Sequence, residues 1–321
     1  MLHNKSNLFI SLFFSLIAVT CTTKESNKSI LKDTVKAAKT SPAFTFKEID
    51  YPIFIDNKEM KIEYKLCHFW DSTYFENFIP KRDSDYLSNI LDRYIMFLSI
   101  NDSAYLNNSI KNFYKRLNTN KDAVITTKSI SDHILYNPIS NKRDDKIYEI
   151  FLKNYLLSPF ANKETYFSDS VRLALVMKNQ IGNTAIDFKY LNKNGTISQM
   201  HNLKAENLIL FFYNPGCHAC QETIESLKSS QTINDYIKKK KIKILAVFPD
   251  NNIDEWKNGF SEIPDFWING YDSERAIDDI PLYDLKAIPT IYLLDKNKKV
   301  IIKDGTTGKI ENFLKIINTY N

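Results

Sequence analysis

The sequence predicts an α/β fold: a mostly helical domain with a small β-hairpin comes first, and an α/β sandwich follows at the C-terminus. The first half of the chain carries apolar residues at helical spacing, for example Leu87, Ile90 and Leu91. After about residue 181, short continuous apolar runs such as NLILFFY (207–213) alternate with helical stretches. A buried strand, a helix and a second buried strand in that order indicate parallel strands joined by a crossover helix.

Length and charge limit the classes of function. The 321 residues suffice for two domains, and the 43% hydrophobic and 25% charged content is ordinary for globular protein. The net charge of +5 is small for this length, and the densest basic run, at 238–241, has no aromatic residues among its lysines. We therefore expect no nucleic-acid partner and interpret these lysines as a helix end.

Residues 1–21 have the features of a lipoprotein-type signal peptide. The apolar stretch 8–19 is too short to cross a bilayer, since twelve helical residues rise only about 18 Å. Small residues and Cys21 follow, which resembles the lipobox of bacterial lipoproteins, although Ala18 stands where leucine is common. We expect lipidation of Cys21, a polar tether over 22–45, and anchoring at the periplasmic side of the cell envelope. The alternative is a plain secreted protein in which Cys21 is incidental.

The domain predicted over 46–180 begins with two strand-like runs, 51–55 and 61–68, and the turn at 56–58 between them predicts the β-hairpin. Four amphipathic helices follow, near 85–100, 109–119, 144–159 and 168–181. Cys67 is interpreted as a buried free thiol.

The domain predicted over 181–321 begins with a hairpin at 184–203 that turns at Asn194-Gly195. Further strands are predicted at 207–213, 241–249, 288–295 and 299–304, and helices from the cysteine pair to about 229, near 254–260 and near 309–318.

The stretch FFYNPGCHAC (211–220) places two cysteines, two residues apart, at a strand-to-helix junction. The free N–H groups and the dipole of a helix N-terminus favour the thiolate of Cys217. Cys220, one turn deeper, is placed to attack a mixed disulfide formed at Cys217. Protonated His218 would stabilise the thiolate further, or else it is an ordinary exposed residue, and both readings stay open.

Other uses of the pair fit less well. A zinc site needs a second pair of soft ligands, and Cys67 with His68 is a poor chelating pair because neighbours on a strand point to opposite faces. Haem attachment needs histidine after the second cysteine, where Gln221 stands. An inert structural disulfide remains the alternative.

From about residue 181 the chain resembles thioredoxin-like thiol–disulfide oxidoreductases of the TlpA/ResA type. Besides the cysteine pair, the resemblance rests on KAIPTIYLLD (286–295). It implies that Ile288, Pro289 and Thr290 form a substrate-docking surface in which a cis-proline faces the cysteines. It also implies protein thiol or disulfide substrates, a membrane thiol electron donor, and no metal or organic cofactor. HFWD (68–71), WINGYD (267–272) and LYDLKAIPT (282–290) further resemble envelope lipoproteins with an uncharacterised helix-rich domain before a thioredoxin-like one.

The chain departs from the family pattern at three places. Gly216 stands where thioredoxins have tryptophan, and Phe211 stands where they have a buried acid. Thr223 stands where ResA-type proteins have glutamate, and Glu222, one residue earlier, either replaces it or supports the first turn of the helix. We expect an exchange enzyme that acts as a reductant, and an oxidant or isomerase stays open because the two residues between the cysteines do not fix the redox potential. The alternative is a non-catalytic binding lipoprotein with a structural disulfide.

Overall fold

The computed structural model describes residues 44–101, 104–277 and 279–319. The predicted signal peptide, the predicted lipidation site Cys21 and the tether up to residue 43 lie outside these ranges. Among the described residues, no helix combines the length and the apolar character needed to cross a membrane.

Helices fill the first part of the described chain, which is called the helical region below (residues 44–176). The first three are α1 (Lys58–His68), α2 (Pro80–Ser99) and α3 (Leu106–Leu117). They are followed by α4 (Lys121–Ser131), a π-helical turn (Asp132–Tyr136), α5 (Asp145–Leu156) and α6 (Tyr166–Val176). The helices predicted near 85–100, 109–119, 144–159 and 168–181 are confirmed, and α4 was not predicted.

The predicted β-hairpin is wrong. Its second run lies within α1, and residues 51–55 form a turn rather than a strand. Asn57, interpreted as a turn residue, is the N-cap of α1, and its side-chain oxygen accepts a hydrogen bond from the Met60 N–H at 2.7 Å. Asparagine is favoured there because it satisfies a helix N–H that has no partner within the helix.

The core of the helical region is built around aromatic rings. Trp70 stacks on Phe113 with ring centroids 4.3 Å apart, and Phe151 packs edge-on against the same Phe113 ring. The buried hydroxyl of Tyr94 is hydrogen-bonded to Ser109 Oγ at 2.6 Å, so this hydroxyl has a partner although it is shielded from water. Each fully buried ring of this kind contributes roughly 1.5–3 kcal/mol of transfer free energy.

The second part, called the sheet region (residues 184–319), holds a mixed seven-stranded sheet in the order β2-β1-β5-β4-β3-β6-β7. Its strands are β1 (Lys189–Asn192), β2 (Ile197–Gln199), β3 (Asn207–Phe212), β4 (Ile242–Phe248), β5 (Ile268–Tyr271), β6 (Thr290–Asp295) and β7 (Val300–Ile302). Strands β3, β4 and β5 run parallel, and β6 is antiparallel to β3. The helices are α7 (His218–Ser229), α8 (Gln231–Lys238), α9 (Ile253–Asn258) and α10 (Thr307–Thr319).

The central strand β3 is buried on both faces, which explains its uninterrupted apolar sequence. Ile209 and Phe211 belong to the core that the helices cover, whereas Leu208 and Leu210 belong to the core on the opposite face. The predicted hairpin at Asn194-Gly195 is confirmed, and so is the helix end at the lysine run, because α8 ends at Lys238. Strand β5 was not predicted. From residue 44 onwards the described chain belongs to one compact unit, so the domain boundary at 180/181 stays a prediction.

Candidate active site

The cysteine pair lies where β3 ends and α7 begins. Cys217 is the N-cap of α7, with an extended backbone, and its Sγ accepts a hydrogen bond from the Cys220 N–H at 3.3 Å. A sulfur in this position meets the partial positive charge of the helix N-terminus, which favours a negatively charged group. Cys217 is half-buried, and both thiols are free.

Cys220 lies behind Cys217 and is only 1% exposed. Burial and a side-chain hydrogen bond with Cys217 raise the pKa of the Cys220 thiol to about 12. At neutral pH Cys220 therefore keeps its proton. The two cysteines also differ in exposure, because Cys217 is half-buried at the N-cap of α7 and Cys220 is buried inside the helix.

The segment predicted to dock substrate reaches the same edge of the sheet. The Ile288–Pro289 peptide bond is cis. Thr290 pairs with Phe212 in the antiparallel register of β6 and β3. Pro289 therefore lies just beyond the end of β3, on the side from which the chain continues to Cys217. Thr290 Oγ1 donates a hydrogen bond to the Ala287 carbonyl at 2.6 Å, which holds the turn before β6.

The two predicted modulating residues face solvent. His218 and Glu222 have side chains that are 86% and 70% exposed, and His218 Nδ1 lies 3.6 Å from Glu222 Oε1. A pair this exposed contributes little to stability. The structure thus places Cys217, Cys220, Ile288, Pro289 and Thr290 at one edge, with His218 and Glu222 at its rim.

Glu262 is a residue of the site that the sequence analysis missed. The Gly216 N–H donates to both of its carboxylate oxygens, at 3.1 and 3.0 Å. The negative charge of Glu262 also contributes, after burial and the cysteine hydrogen bond, to the raised pKa of Cys220. Glu262 lies in a 3₁₀ turn after α9, and no local pattern distinguishes it from other surface glutamates.

Two further features fix the loop before Cys217. Gly216 has a φ of +69°, a left-handed conformation that glycine adopts without a side-chain clash. A Cβ at Gly259 would come within 2.6 Å of Pro215 Cβ, so glycine lets α9 approach this loop closely. The family's tryptophan is therefore replaced at a position where the backbone itself favours glycine.

A buried hydrogen-bond network supports the start of the loop. Asn269 Oδ1 accepts from the Tyr213 hydroxyl at 3.0 Å and from Trp256 Nε1 at 2.7 Å. Elsewhere, Cys67 lies in the helical region and is half-buried. In the part of the chain that the structure covers, no group of three or more His, Cys, Asp or Glu side chains is arranged to hold a metal ion.

Comparison with known proteins agrees with this architecture. A family model described as "Thioredoxin-like" matches residues 206–300, and one described as "Domain of unknown function (DUF5106)" matches residues 20–179. The curated protein "Thiol-disulfide oxidoreductase ResA" from Bacillus thuringiensis (strain Al Hakam) is 27% identical over 143 residues, which cover 44% of this chain and 80% of that protein. The same holds for the protein of that name from Bacillus anthracis.

Among solved structures, a thioredoxin-like protein from Bacteroides caccae ATCC 43185 is similar over both regions. It is 36% identical, with a TM-score of 0.79, and the match covers 85% of this chain and 98% of that one. The likeness therefore includes the helices as well as the sheet. This chain therefore belongs to the thioredoxin-like family. The cysteine pair at the N-terminus of α7 and the cis-proline at the same edge of the sheet agree with this assignment.

Proposed function

We propose that this protein is a thiol–disulfide oxidoreductase that reduces disulfides in protein substrates through Cys217 and Cys220. The observation that carries the proposal is the asymmetry of the pair. The Cys217 sulfur accepts an N–H at the helix N-terminus, whereas Cys220 is buried and holds its proton. An accessible sulfur in front of a buried thiol is the arrangement that a nucleophile and a resolving cysteine require.

The exchange proceeds in two substitutions at sulfur. The Cys217 thiolate attacks one sulfur of the substrate disulfide, forms a mixed disulfide, and releases the other sulfur as a thiolate that takes a proton from water. Cys220 then attacks the Cys217 sulfur, and its proton passes through water to the departing substrate sulfur. The Cys217–Cys220 disulfide forms, and the second substrate sulfur leaves as a thiol. Two electrons pass to the substrate, and the enzyme disulfide must be reduced again by a dithiol donor.

We assign docking of the substrate to Ile288, Pro289 and Thr290, which line the edge next to the cysteine pair. The likeness to a protein named thiol-disulfide oxidoreductase supports the exchange function for which these residues would dock the substrate. We further propose that the protein works at the periplasmic side of the cell envelope, anchored through lipidated Cys21, with a membrane thiol carrier as its electron donor.

Trapping of mixed disulfides tests the function. The chain from Thr22 onwards, which retains every described residue, is prepared with Cys220→Ser and incubated with envelope extract. We expect disulfide-linked client proteins at Cys217, identified by mass spectrometry, because no resolving thiol remains. The double variant Cys217→Ser/Cys220→Ser is the control and traps nothing.

The opposite result is equally informative. If the Cys220→Ser variant captures no client and Cys217 does not react with iodoacetamide at pH 7, the exchange function is refuted. A binding protein with a structural disulfide would then be the correct interpretation.

A further inference from the structure

Two clefts adjoin the docking segment, one on each side of Ile288. The first has a volume of about 540 Å³, and its lining includes Asn214 and Asp250. The second has a volume of about 480 Å³, and its lining includes Thr223 and Pro289. Ile288 lines both clefts. A polypeptide that crosses Ile288 with its cysteine at Cys217 would therefore extend into both of them.

The helical region supplies one wall of both clefts. We call residues 137–143, between the π-helical turn and α5, the wall loop. Its Pro138 lines both clefts, and Ile139 lines the second with a side chain that is 86% exposed. Most of the apolar surface of Ile139 is therefore accessible to a bound polypeptide.

The wall loop is held by its own hydrogen bonds and by the sheet region. The Asn137 side chain accepts from the Ile139 N–H at 3.1 Å, and Ser140 Oγ donates to the Ile134 carbonyl at 2.6 Å. Arg143 donates to the Pro138 carbonyl and lies 3.6 Å from Asp304 Oδ2 of the sheet region. The loop therefore presents Ile139 from a fixed position.

A buried ionic cluster joins the docking segment to the same part of the helical region. Lys286, three residues before Pro289, has a side chain that is 1% exposed. Its Nζ lies 3.0 Å from Asp284 Oδ2 and 3.1 Å from Oδ1 of Asp145, the first residue of α5. The Tyr136 hydroxyl completes the cluster by donating to Asp284 Oδ1 at 2.9 Å. Buried ion pairs with several partners fix geometry, so the wall loop and the docking segment keep one spacing.

Charge distinguishes the two clefts. In the first, Asp284 and Lys286 neutralise each other. Asp250 is exposed there, and within the described ranges its carboxylate accepts only the N–H of Asn251. The first cleft therefore offers the unneutralised negative charge of Asp250. The second combines the apolar surface of Ile139 and Pro289 with the Arg143–Asp304 pair and with the exposed Glu222, whose carboxylate lies 3.6 Å from His218.

We propose that the wall loop selects the substrate: Ile139 contacts an apolar side chain on one side of the substrate cysteine, and Asp250 attracts a basic side chain on the other. The occupant is an extended polypeptide segment, because Ile288 lines both clefts and contacts with Asp250 in one and Ile139 in the other require a chain that crosses it. This inference rests on the proposed exchange function and changes none of its chemical steps. The helical region then acts as the specificity element of the reaction.

Reduction of synthetic disulfide peptides by the reduced chain from Thr22 onwards tests the proposal. The peptides carry one cysteine with leucine on one side and lysine on the other, in both orders, and each is linked to a fluorescent thiol. We expect Ile139→Asp to lower the second-order rate constant about tenfold for the better order. The rate with dithiobis(nitrobenzoate), a small disulfide, should stay within twofold. Ile53→Asp, at a site that is fully exposed and lines neither cleft, is the matched control.

Asp250→Lys tests the charge separately. We expect it to slow the lysine peptide severalfold and to speed a peptide with glutamate in that place, with both effects shrinking at high salt. If every variant reduces the small disulfide but Ile139→Asp leaves the peptide rates unchanged, the wall loop does not select substrate. If the unmodified chain fails to reduce the small disulfide, the exchange function itself is wrong.

Discussion

The helical region and the sheet region differ in how far apart along the chain their functional groups lie. In the sheet region the two sulfurs lie within four residues, at the N-cap and in the first turn of α7. In the helical region, Asp145 contacts Lys286, 141 positions away, and Ile139 lines a cleft together with Ile288 and Pro289 of the docking segment. The difference teaches that a cysteine pair can be encoded locally, whereas the proposed substrate selection depends on how two distant segments pack.

The largest effect that we predict is the difference in exchange rate between cysteine variants of the two regions. We expect Cys217→Ser to lower the rate of disulfide exchange by at least about 10³-fold, since a hydroxyl does not replace a thiolate nucleophile. Cys67→Ser, in the helical region, should leave the rate within twofold, because burial raises the pKa of the Cys67 thiol and suppresses its reactivity. Single-turnover reduction of a protein disulfide measures both. Equal losses would place a reacting thiol in each region.

A smaller effect concerns the ionic cluster that joins the two regions. Although burial opposes it, the carboxylates of Asp145, Asp284 and Asp304 raise the pKa of Lys286. We expect Lys286→Met to lower the free energy of unfolding by about 3–5 kcal/mol, because it removes the cation that pairs with the buried Asp284 carboxylate, whereas Asp145 keeps Lys303 at 2.7 Å. Urea denaturation followed by tryptophan fluorescence and by circular dichroism measures this value, and both probes should report one transition.

Lys228→Met is the matched control for that variant. Lys228 forms an exposed ion pair with Glu225 at 2.6 Å, and such pairs contribute about 0–1 kcal/mol. Separate transitions for the two probes in Lys286→Met, or a loss no larger than that of Lys228→Met, would show that the regions are energetically independent.

The smallest effect that we predict is the pH dependence of Cys220 labelling, which tests how far the buried thiol differs from Cys217. Because burial raises the pKa of Cys220 well above the ordinary value, its thiol is protonated at pH 7, and its thiolate fraction rises about tenfold with each pH unit below that pKa. We expect the rate of iodoacetamide labelling of Cys220 in the Cys217→Ser variant to follow this slope from pH 7 to pH 10. Site-resolved mass spectrometry measures the rate, and a plateau below pH 10 would mean that burial does not control this thiol.

The sequence allowed good predictions where the signal was short-range. The run at 207–213, the turn at Asn194-Gly195 and the cysteine pair all lie within a few residues of what they specify. The hairpin prediction failed because alternating apolar residues and Asn57 suit either a turn or a helix cap, and packing of Leu66 in the aromatic core decides for the helix. Short β5 was missed because Ile268–Tyr271 is too brief for periodicity to distinguish.

The remaining parts of the site could not be predicted from a single sequence. Glu262 contacts Gly216 across 46 positions, and Lys286 contacts Asp145 across 141. Nothing in the local pattern around a glutamate or a lysine says which distant group will meet it. Such pairings follow from the packing of complete elements rather than from any one motif.

The conformation of Gly216 has a consequence for how this protein should be compared and engineered. At a φ of +69°, any residue with a side chain costs about 1–2 kcal/mol. Introducing the tryptophan that thioredoxins carry before the first cysteine would therefore strain the loop instead of restoring a lost contact. A sequence alignment counts Gly216 as a mismatch with the tryptophan of thioredoxins, although glycine is the residue that the backbone conformation at this position favours.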